Sequence, residues 1–127
     1  MIGYVTLGTN DFARAAKFYD ALFAEVGAKR AMEMDTFIAW AKTPNAPMLS
    51  IIKPYDKKPA TVGNGVMIAL AVDSPATVQK LYAKALELGG KDEGAPGDRG
   101  GGFYAAYFRD LDGNKLNAFV MQAASAG

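Results

Sequence analysis

The stretch that decides the fold is Arg109-Asp110-Leu111-Asp112-Gly113-Asn114-Lys115-Leu116-Asn117-Ala118-Phe119-Val120, close to the end of the chain. The Asp-Gly pair at its centre favours a tight turn, because glycine adopts the positive φ that a short hairpin requires. After the turn, the apolar Leu116 and Ala118 alternate with Asn117 and Phe119, a period typical of a strand with two unlike faces. The stretch therefore predicts a hairpin whose second strand turns Asn117 away from its apolar face.

Composition narrows the classes of function. The chain has 127 residues, half of them hydrophobic, and 14 basic against 13 acidic residues leave a net charge of +1. That balance gives no electrostatic basis for binding nucleic acid or a membrane surface. The absence of cysteine and histidine excludes disulfides, thiolate chemistry and histidine metal ligands. With no signal peptide and no bilayer-length apolar stretch, a cytoplasmic protein is expected.

Periodicity predicts alternating strands and helices. A first helix begins at Phe12, capped by Asn10 or Asp11, and ends at Gly27. A second begins after Ser74 with proline at its first position and ends at Gly89-Gly90. Strands are predicted over Met1–Thr9, Phe37–Ala41, Met48–Ile52, Val66–Val72, Phe103–Arg109 and Lys115–Met121.

The two halves of the chain repeat the same order of elements. An offset of 63 residues aligns the segment from Tyr4 to Gly27 with the segment from Met67 to Gly90 without a gap. Identical pairs in this alignment include Tyr19 with Tyr82, and a slightly larger offset aligns later strands. Because these identities agree with the order of the elements, the sequence indicates an internal duplication.

Three motifs carry a family resemblance. They are the opening strand that leads into the first helix, the loop Gly94-Ala-Pro-Gly97-Asp-Arg99, and the closing Arg109-Asp-Leu-Asp112-Gly113-Asn114-Lys-Leu. In this order the chain resembles the vicinal oxygen chelate superfamily of glyoxalases, bleomycin-resistance proteins and extradiol dioxygenases, in its small bacterial glyoxalase-like branch. The resemblance covers nearly the whole chain.

The resemblance implies an α+β fold of two tandem βαβββ modules that form a half-open, curved mixed-sheet barrel around one cavity. We expect a single domain over residues 1–127, with module 1 at about 1–53, a linker at 54–65 and module 2 at about 66–122. The remaining strand of each module is expected within Gly27–Asp35 and Lys91–Gly102. The glycine-rich part of the latter is also expected to act as a flap over the cavity mouth.

The resemblance also locates four metal positions of the superfamily, which hold His, Glu or Gln in metal-using members. They fall here on Tyr4, Ser50, Met67 and Asn117. A phenol, a hydroxyl, a thioether and an amide supply no charge and only weak donor strength to a divalent transition metal. We therefore expect no metal and no other cofactor.

The first functional hypothesis is that the protein is a metal-free member of the superfamily and binds a small organic molecule. The family resemblance also makes a homodimer possible. An alternative is an enzyme of the lactoylglutathione-lyase or dioxygenase type that uses an unusual metal site or a metal-free route; a third is a ligand-free scaffold or dimerising domain. No catalytic residue is singled out by spacing. Arg99 is a candidate partner for a carboxylate or phosphate on a ligand. The ligand-binding candidates are Tyr4, Thr6, Trp40, Ser50, Met67, Arg99, Tyr104, Tyr107, Asn117 and Phe119.

Overall fold

Two similar modules make up the fold in the computed structural model, which describes residues 1–123. The first contains β1 (Tyr4–Gly8), α1 (Phe12–Ala24), β2 (Lys29–Met34), β3 (Phe37–Ala41) and β4 (Met48–Ile52). The second contains β5 (Ile68–Ala71), α2 (Pro75–Glu87), β6 (Lys91–Asp98), β7 (Phe103–Arg109) and β8 (Lys115–Met121). The predicted α+β fold of two βαβββ modules is confirmed. The predicted domain continues to residue 127, so its end lies outside the described residues.

Each module folds its strands into one mixed sheet. The strand orders are β1-β4-β3-β2 and β5-β8-β7-β6, with the first pair parallel and the others antiparallel. Thr6 is paired with Ser50 in the first sheet and Ala69 with Asn117 in the second, so the repeat extends to residue register. Within residues 1–123 no strand of one sheet pairs with the other, and the sheets are not closed into a barrel.

Local chemistry starts both helices where the sequence predicts. The Asp11 side chain accepts a hydrogen bond from the backbone N–H of Arg14, and Ser74 does the same for Thr77. Of the two candidate caps of α1, Asp11 is therefore the one used. The Asn10 side chain instead bonds both backbone groups of Ala60 in the linker.

The weakly patterned third strands fall in the expected stretches, as β2 and β6. The glycine-rich segment is mostly strand rather than flap, because Lys91–Asp98 pairs with β7 through two irregularities in register. The two strands that open the modules are shorter than predicted, at Tyr4–Gly8 and Ile68–Ala71. An alternating pattern predicts an extended backbone. The length of the strand depends on how many of those residues pair with a neighbouring strand.

The hydrophobic core lies between each helix and its own sheet. Phe18 and Leu22 of α1 are buried against module 1, and Leu81 of α2 is buried among Phe108 and Leu116 of module 2. The helices also contact each other. Neither helix, at 13 residues each, has the length and apolarity that a bilayer crossing requires within the described chain.

Candidate functional site

Each sheet has one face covered by its helix and one that we call the open face. In module 1 the helix covers Val5, Leu7, Leu49 and Ile51, so alternation places Tyr4, Thr6 and Ser50 on the open face. In module 2 the helix covers Phe108, Leu116 and Ala118 among others. Alternation therefore places Tyr107, Lys115, Asn117 and Phe119 on its open face.

The polar groups of the module 1 open face satisfy one another. The fully buried Ser50 hydroxyl donates to the backbone oxygen of Val5 at 2.6 Å and shares a hydrogen bond with the Thr6 hydroxyl at 3.0 Å. Tyr4 is 58% exposed and lies edge-on to Phe37. Among residues 1–123, no buried polar side-chain atom of this face is left without a hydrogen-bond partner.

The equivalent position in module 2 differs in this respect. Asn117 is 1% exposed, and neither its amide nitrogen nor its amide oxygen has a hydrogen-bond partner among residues 1–123. Leaving a buried polar group unpaired costs about 1–3 kcal/mol, so native proteins rarely do it without a functional reason. In register, Asn117 lies between Ala69 on β5 and Tyr107 on β7.

Two cations lie against the Tyr107 ring beside Asn117. The Arg99 guanidinium carbon is 5.6 Å from the ring centroid and the Lys115 ammonium nitrogen is 5.5 Å from it, distances at which cation–π attraction acts. The Arg99 guanidinium also donates to the backbone oxygen of Ala95. Lys115 is a member of this cluster that the sequence-based candidates omit, although its alternation with Asn117 places both on one face.

Two glycines of β6 make room for the Arg99 side chain. A Cβ at Gly94 would lie 3.3 Å from one terminal nitrogen of the guanidinium, and a Cβ at Gly97 would lie 3.4 Å from the other. A Cβ at Gly94 would also meet the Tyr107 ring at 3.1 Å. The glycine-rich segment therefore forms a shelf on which Arg99 lies next to Tyr107.

An ion pair lies at one end of this cluster. Arg109 donates to the Glu93 carboxylate at 2.6 Å and also to the backbone oxygen of Gly113. The pKa of Glu93 lies below its ordinary value, first because Arg109 donates to it and in smaller part because Lys115 is near. Its carboxylate bonds with Arg109, so Lys115 is left without a carboxylate within 4 Å in the described chain.

The other sequence-based candidates lie in three places. Trp40 is on the helix side of its sheet, 2% exposed, and donates to the Asp20 carboxylate at 2.9 Å. The Tyr104 hydroxyl accepts a hydrogen bond from Gln79 of α2, so it too faces the helix. Phe119 lies on the open face and packs against Phe103 at 5.5 Å between ring centroids. Met67, 39% exposed, precedes β5.

The residues at the four positions that the resemblance assigns to metal ligands do not fit a metal. Their donors are uncharged, and the Ser50 oxygen is already committed to Val5 and Thr6. Tyr4 is largely exposed, while Asn117 is buried in the other sheet. Residues 1–123 also contain no group of three or more acidic, cysteine or histidine side chains that could hold a metal ion.

An apolar cavity of about 860 Å³ lies between the two modules. It is bounded by the end of α1, by β4, by β5 and by α2, and its lining includes Met67 and Trp40. A cavity of this size is ordinarily a first candidate for a ligand site. However, Asn117, Tyr107 and Arg99 are not part of its lining, so the Asn117 amide, unpaired among residues 1–123, lies outside this apolar cavity.

A buried acid that the sequence did not single out joins the modules. Asp110 is 6% exposed and accepts hydrogen bonds from the Tyr19 hydroxyl at 2.6 Å and from the Asn114 side chain at 3.0 Å. Burial raises the pKa of Asp110, although these bonds lower it, and burial also raises the pKa of Tyr19. Asn114 in turn donates to the backbone oxygen of Gly8, so this contact is structural.

Comparison with known proteins agrees with the fold. A solved glyoxalase/bleomycin resistance protein from Albidiferax ferrireducens is 33% identical, with 96% of this chain and 99% of that chain covered at a TM-score of 0.89. A glyoxalase/bleomycin resistance protein/dioxygenase family enzyme from Burkholderia phytofirmans is 18% identical, with 94% and 98% covered and a TM-score of 0.75. A lactoylglutathione lyase from Agrobacterium tumefaciens is 19% identical, with 94% and 92% covered and a TM-score of 0.69. The last two show the fold alone.

No curated protein matched the chain at a significant level. The family model that matches residues 1–118 is that of the Glyoxalase/Bleomycin resistance protein/Dioxygenase superfamily. That match covers almost the whole chain, and it confirms the resemblance inferred from the three motifs. The chain therefore belongs to the Glyoxalase/Bleomycin resistance protein/Dioxygenase superfamily.

Proposed function

We propose that the protein binds a small organic molecule on the open face of module 2, without a metal ion. The observation that carries this proposal is the buried Asn117 amide, which lacks a partner on both of its polar atoms in the described chain. A ligand with a hydrogen-bonding group would supply that partner and recover the energy that the buried amide costs. The Tyr107 and Phe119 rings on either side would contact the rest of the ligand.

The comparison between modules supports this choice of face. Ser50 occupies the equivalent position in module 1, and its hydroxyl is satisfied by the adjacent strand. If the polar residues at these two positions served folding alone, both would have hydrogen-bond partners within the protein. The Asn117 amide is not satisfied by any residue of the described chain, so it is better explained by a ligand than by the fold.

The binding experiment compares two matched variants. Isothermal titration calorimetry against aromatic, antibiotic and thiol-conjugate ligands is expected to find a binder without added metal. Asn117→Leu is expected to weaken that binder at least about tenfold, whereas Ser50→Ala leaves its affinity unchanged, because only Asn117 faces the ligand. A binder with equal affinity for both variants would contradict the proposed face, and the absence of any binder would contradict the function.

We also propose that a second copy of the chain covers the cavity between the modules. The strand β5 is entirely apolar and, within residues 1–123, pairs with β8 alone; its Ala69 and Ala71 are exposed. Ile2, at the mouth of the same cavity, is 58% exposed. Apolar surface of this extent marks an interface more often than bare surface. The charged residues of the lining are of both signs, Glu25, Lys42 and Asp73, so a second copy would not meet a surface of one sign.

The association experiment uses two exposed apolar side chains. Sedimentation velocity is expected to show a dimer for the parent chain and a monomer for Ile2→Glu, because the introduced charge would be buried against the second copy. Tyr55→Glu is the control, since Tyr55 is 97% exposed and does not line the cavity. A monomeric parent chain, or a dimeric Ile2→Glu variant, would refute this interface.

A further inference from the structure

The arginines of the chain are not all engaged in the same way. Arg99 is the exception: the only side-chain bond it makes in the described chain is to the backbone oxygen of Ala95. No carboxylate of residues 1–123 lies within 4 Å of it or of Lys115. The other three arginines are each paired with a carboxylate, at 3.8, 2.6 and 2.6 Å for Arg14, Arg30 and Arg109.

From this we infer that the ligand of module 2 carries an oxyanion, a carboxylate or phosphate, that Arg99 and Lys115 bind beside the Tyr107 ring. The inference rests on the proposed function and adds the chemical class of the ligand. A guanidinium has five N–H donors, of which Ala95 uses one, and the ammonium group has three. Both cations therefore keep donors for an anion, and such charge-assisted bonds are stronger than neutral ones.

The shelf under Arg99 favours binding. Because Gly94 and Gly97 have no side chains, the guanidinium lies along β6 against the Tyr107 ring. A cation whose position is restricted before the ligand arrives loses less side-chain entropy on binding.

The order of residues along β8 on the open face indicates the shape of the ligand. Along β8, Lys115, Asn117 and Phe119 follow one another at every second position, about 7 Å apart. Phe103 packs beside Phe119 at the far end. The ligand is therefore an elongated organic acid with its anion near Tyr107, a hydrogen-bonding group at Asn117 and an apolar or aromatic end at Phe119.

The test uses ligands that differ only in charge. N-acetylphenylalanine and its uncharged amide share an acyl amide and an aromatic ring. The acid has a carboxylate where the amide has a neutral group, and phenyl phosphate represents the other oxyanion. By titration calorimetry at low salt, the acid is expected to bind at least about tenfold more tightly than the amide. Arg99→Gln and Lys115→Gln are each expected to weaken the acid by about tenfold and to leave the amide unchanged. Arg30→Gln, which alters a cation on another surface, is the control.

The outcomes separate the two levels of the proposal. Acid and amide with equal affinity, both dependent on Asn117, would overturn the oxyanion and leave the proposed function standing. Tight binding of the acid that Arg99→Gln and Lys115→Gln do not weaken would also overturn it. If neither the acid, phenyl phosphate, the amide nor the wider ligand set binds, the proposed function fails together with the inference. Arg99→Glu provides a second check, because it is expected to abolish binding of the acid while circular dichroism shows the parent fold.

Discussion

Removal of the Tyr19 hydroxyl is expected to destabilise the protein by about 2 kcal/mol. In Tyr19→Phe the ring keeps its packing, but Asp110 loses a 2.6 Å hydrogen bond in a site where Tyr19 and Asp110 are 1% and 6% exposed. Bonds to charged groups contribute about 1.5–3 kcal/mol, and Asp110 keeps three donors, from Asp112 and Asn114, so the middle of that range applies. With a urea m-value of about 2 kcal/mol/M, the unfolding midpoint would fall by about 1 M.

The penalty should also depend on pH. Burial raises the pKa of Asp110 above its unfolded value, so the stability that its proton confers is present below the unfolded pKa and lost as pH rises through the folded pKa. The Tyr19 hydroxyl lowers that folded pKa, because it donates to the ionised form. Its removal should therefore cost more above the folded pKa of Asp110, where the carboxyl is ionised, than below it, where the carboxyl is protonated.

The repeat supplies a matched control for this measurement. Tyr82 is the residue equivalent to Tyr19, and its hydroxyl donates to Asp92 at 2.9 Å on the exposed surface. Tyr82→Phe is expected to change the free energy of unfolding by no more than about 0.5 kcal/mol. Equal losses in the two variants, or a Tyr19→Phe penalty that does not vary with pH, would refute the argument from burial.

Three further predictions test the site and its frame. Gly102 has φ +85°, and a Cβ there would overlap the Gln122 carbonyl oxygen, whereas a Cβ at Gly101 would meet no atom within 4 Å. In urea unfolding, Gly102→Ala should therefore lower stability by at least about 2 kcal/mol more than Gly101→Ala. Asn117→Leu should raise stability by about 1–3 kcal/mol, because it removes a buried amide that is unpaired within residues 1–123. Ser50→Ala should lower stability by about 1 kcal/mol, because it removes a hydrogen bond. A loss of stability in both variants, measured by thermal unfolding, would contradict this. Treatment with a chelator should leave both the melting temperature and the affinity for ligand unchanged, and a drop in either would point to a metal.

Several features of the fold were predictable because their causes are local. The Asp-Gly turn, the Ser74-Pro75 helix start and the period-two alternation of β8 each depend on residues close in the chain. The strands β3, β4, β7 and β8 accordingly have the predicted bounds. The repeat adds a long-range element, since two similar halves adopt similar modules.

The candidate site was predictable only in part. Alternation placed Asn117 and Phe119 on the face away from the helix, as the structure has them. Alternation did not show that Trp40 and Tyr104 face the helices. Either face of a short strand can be the buried one, depending on which elements pack against it. Lys115 was not among the candidates, although its alternation with Asn117 places both side chains on one face.

What the sequence by itself determined is the family and the two-module order of helices and strands. Only the tertiary structure decided that Asn117 has no partner among residues 1–123 while Ser50 has two. It also decided that Arg99 lies on a glycine shelf against Tyr107 and that Asp110 is buried under Tyr19. The physical reason is that secondary structure follows from short-range backbone preferences. Whether a polar group is satisfied depends on side chains far away in the chain, and only folding brings those together.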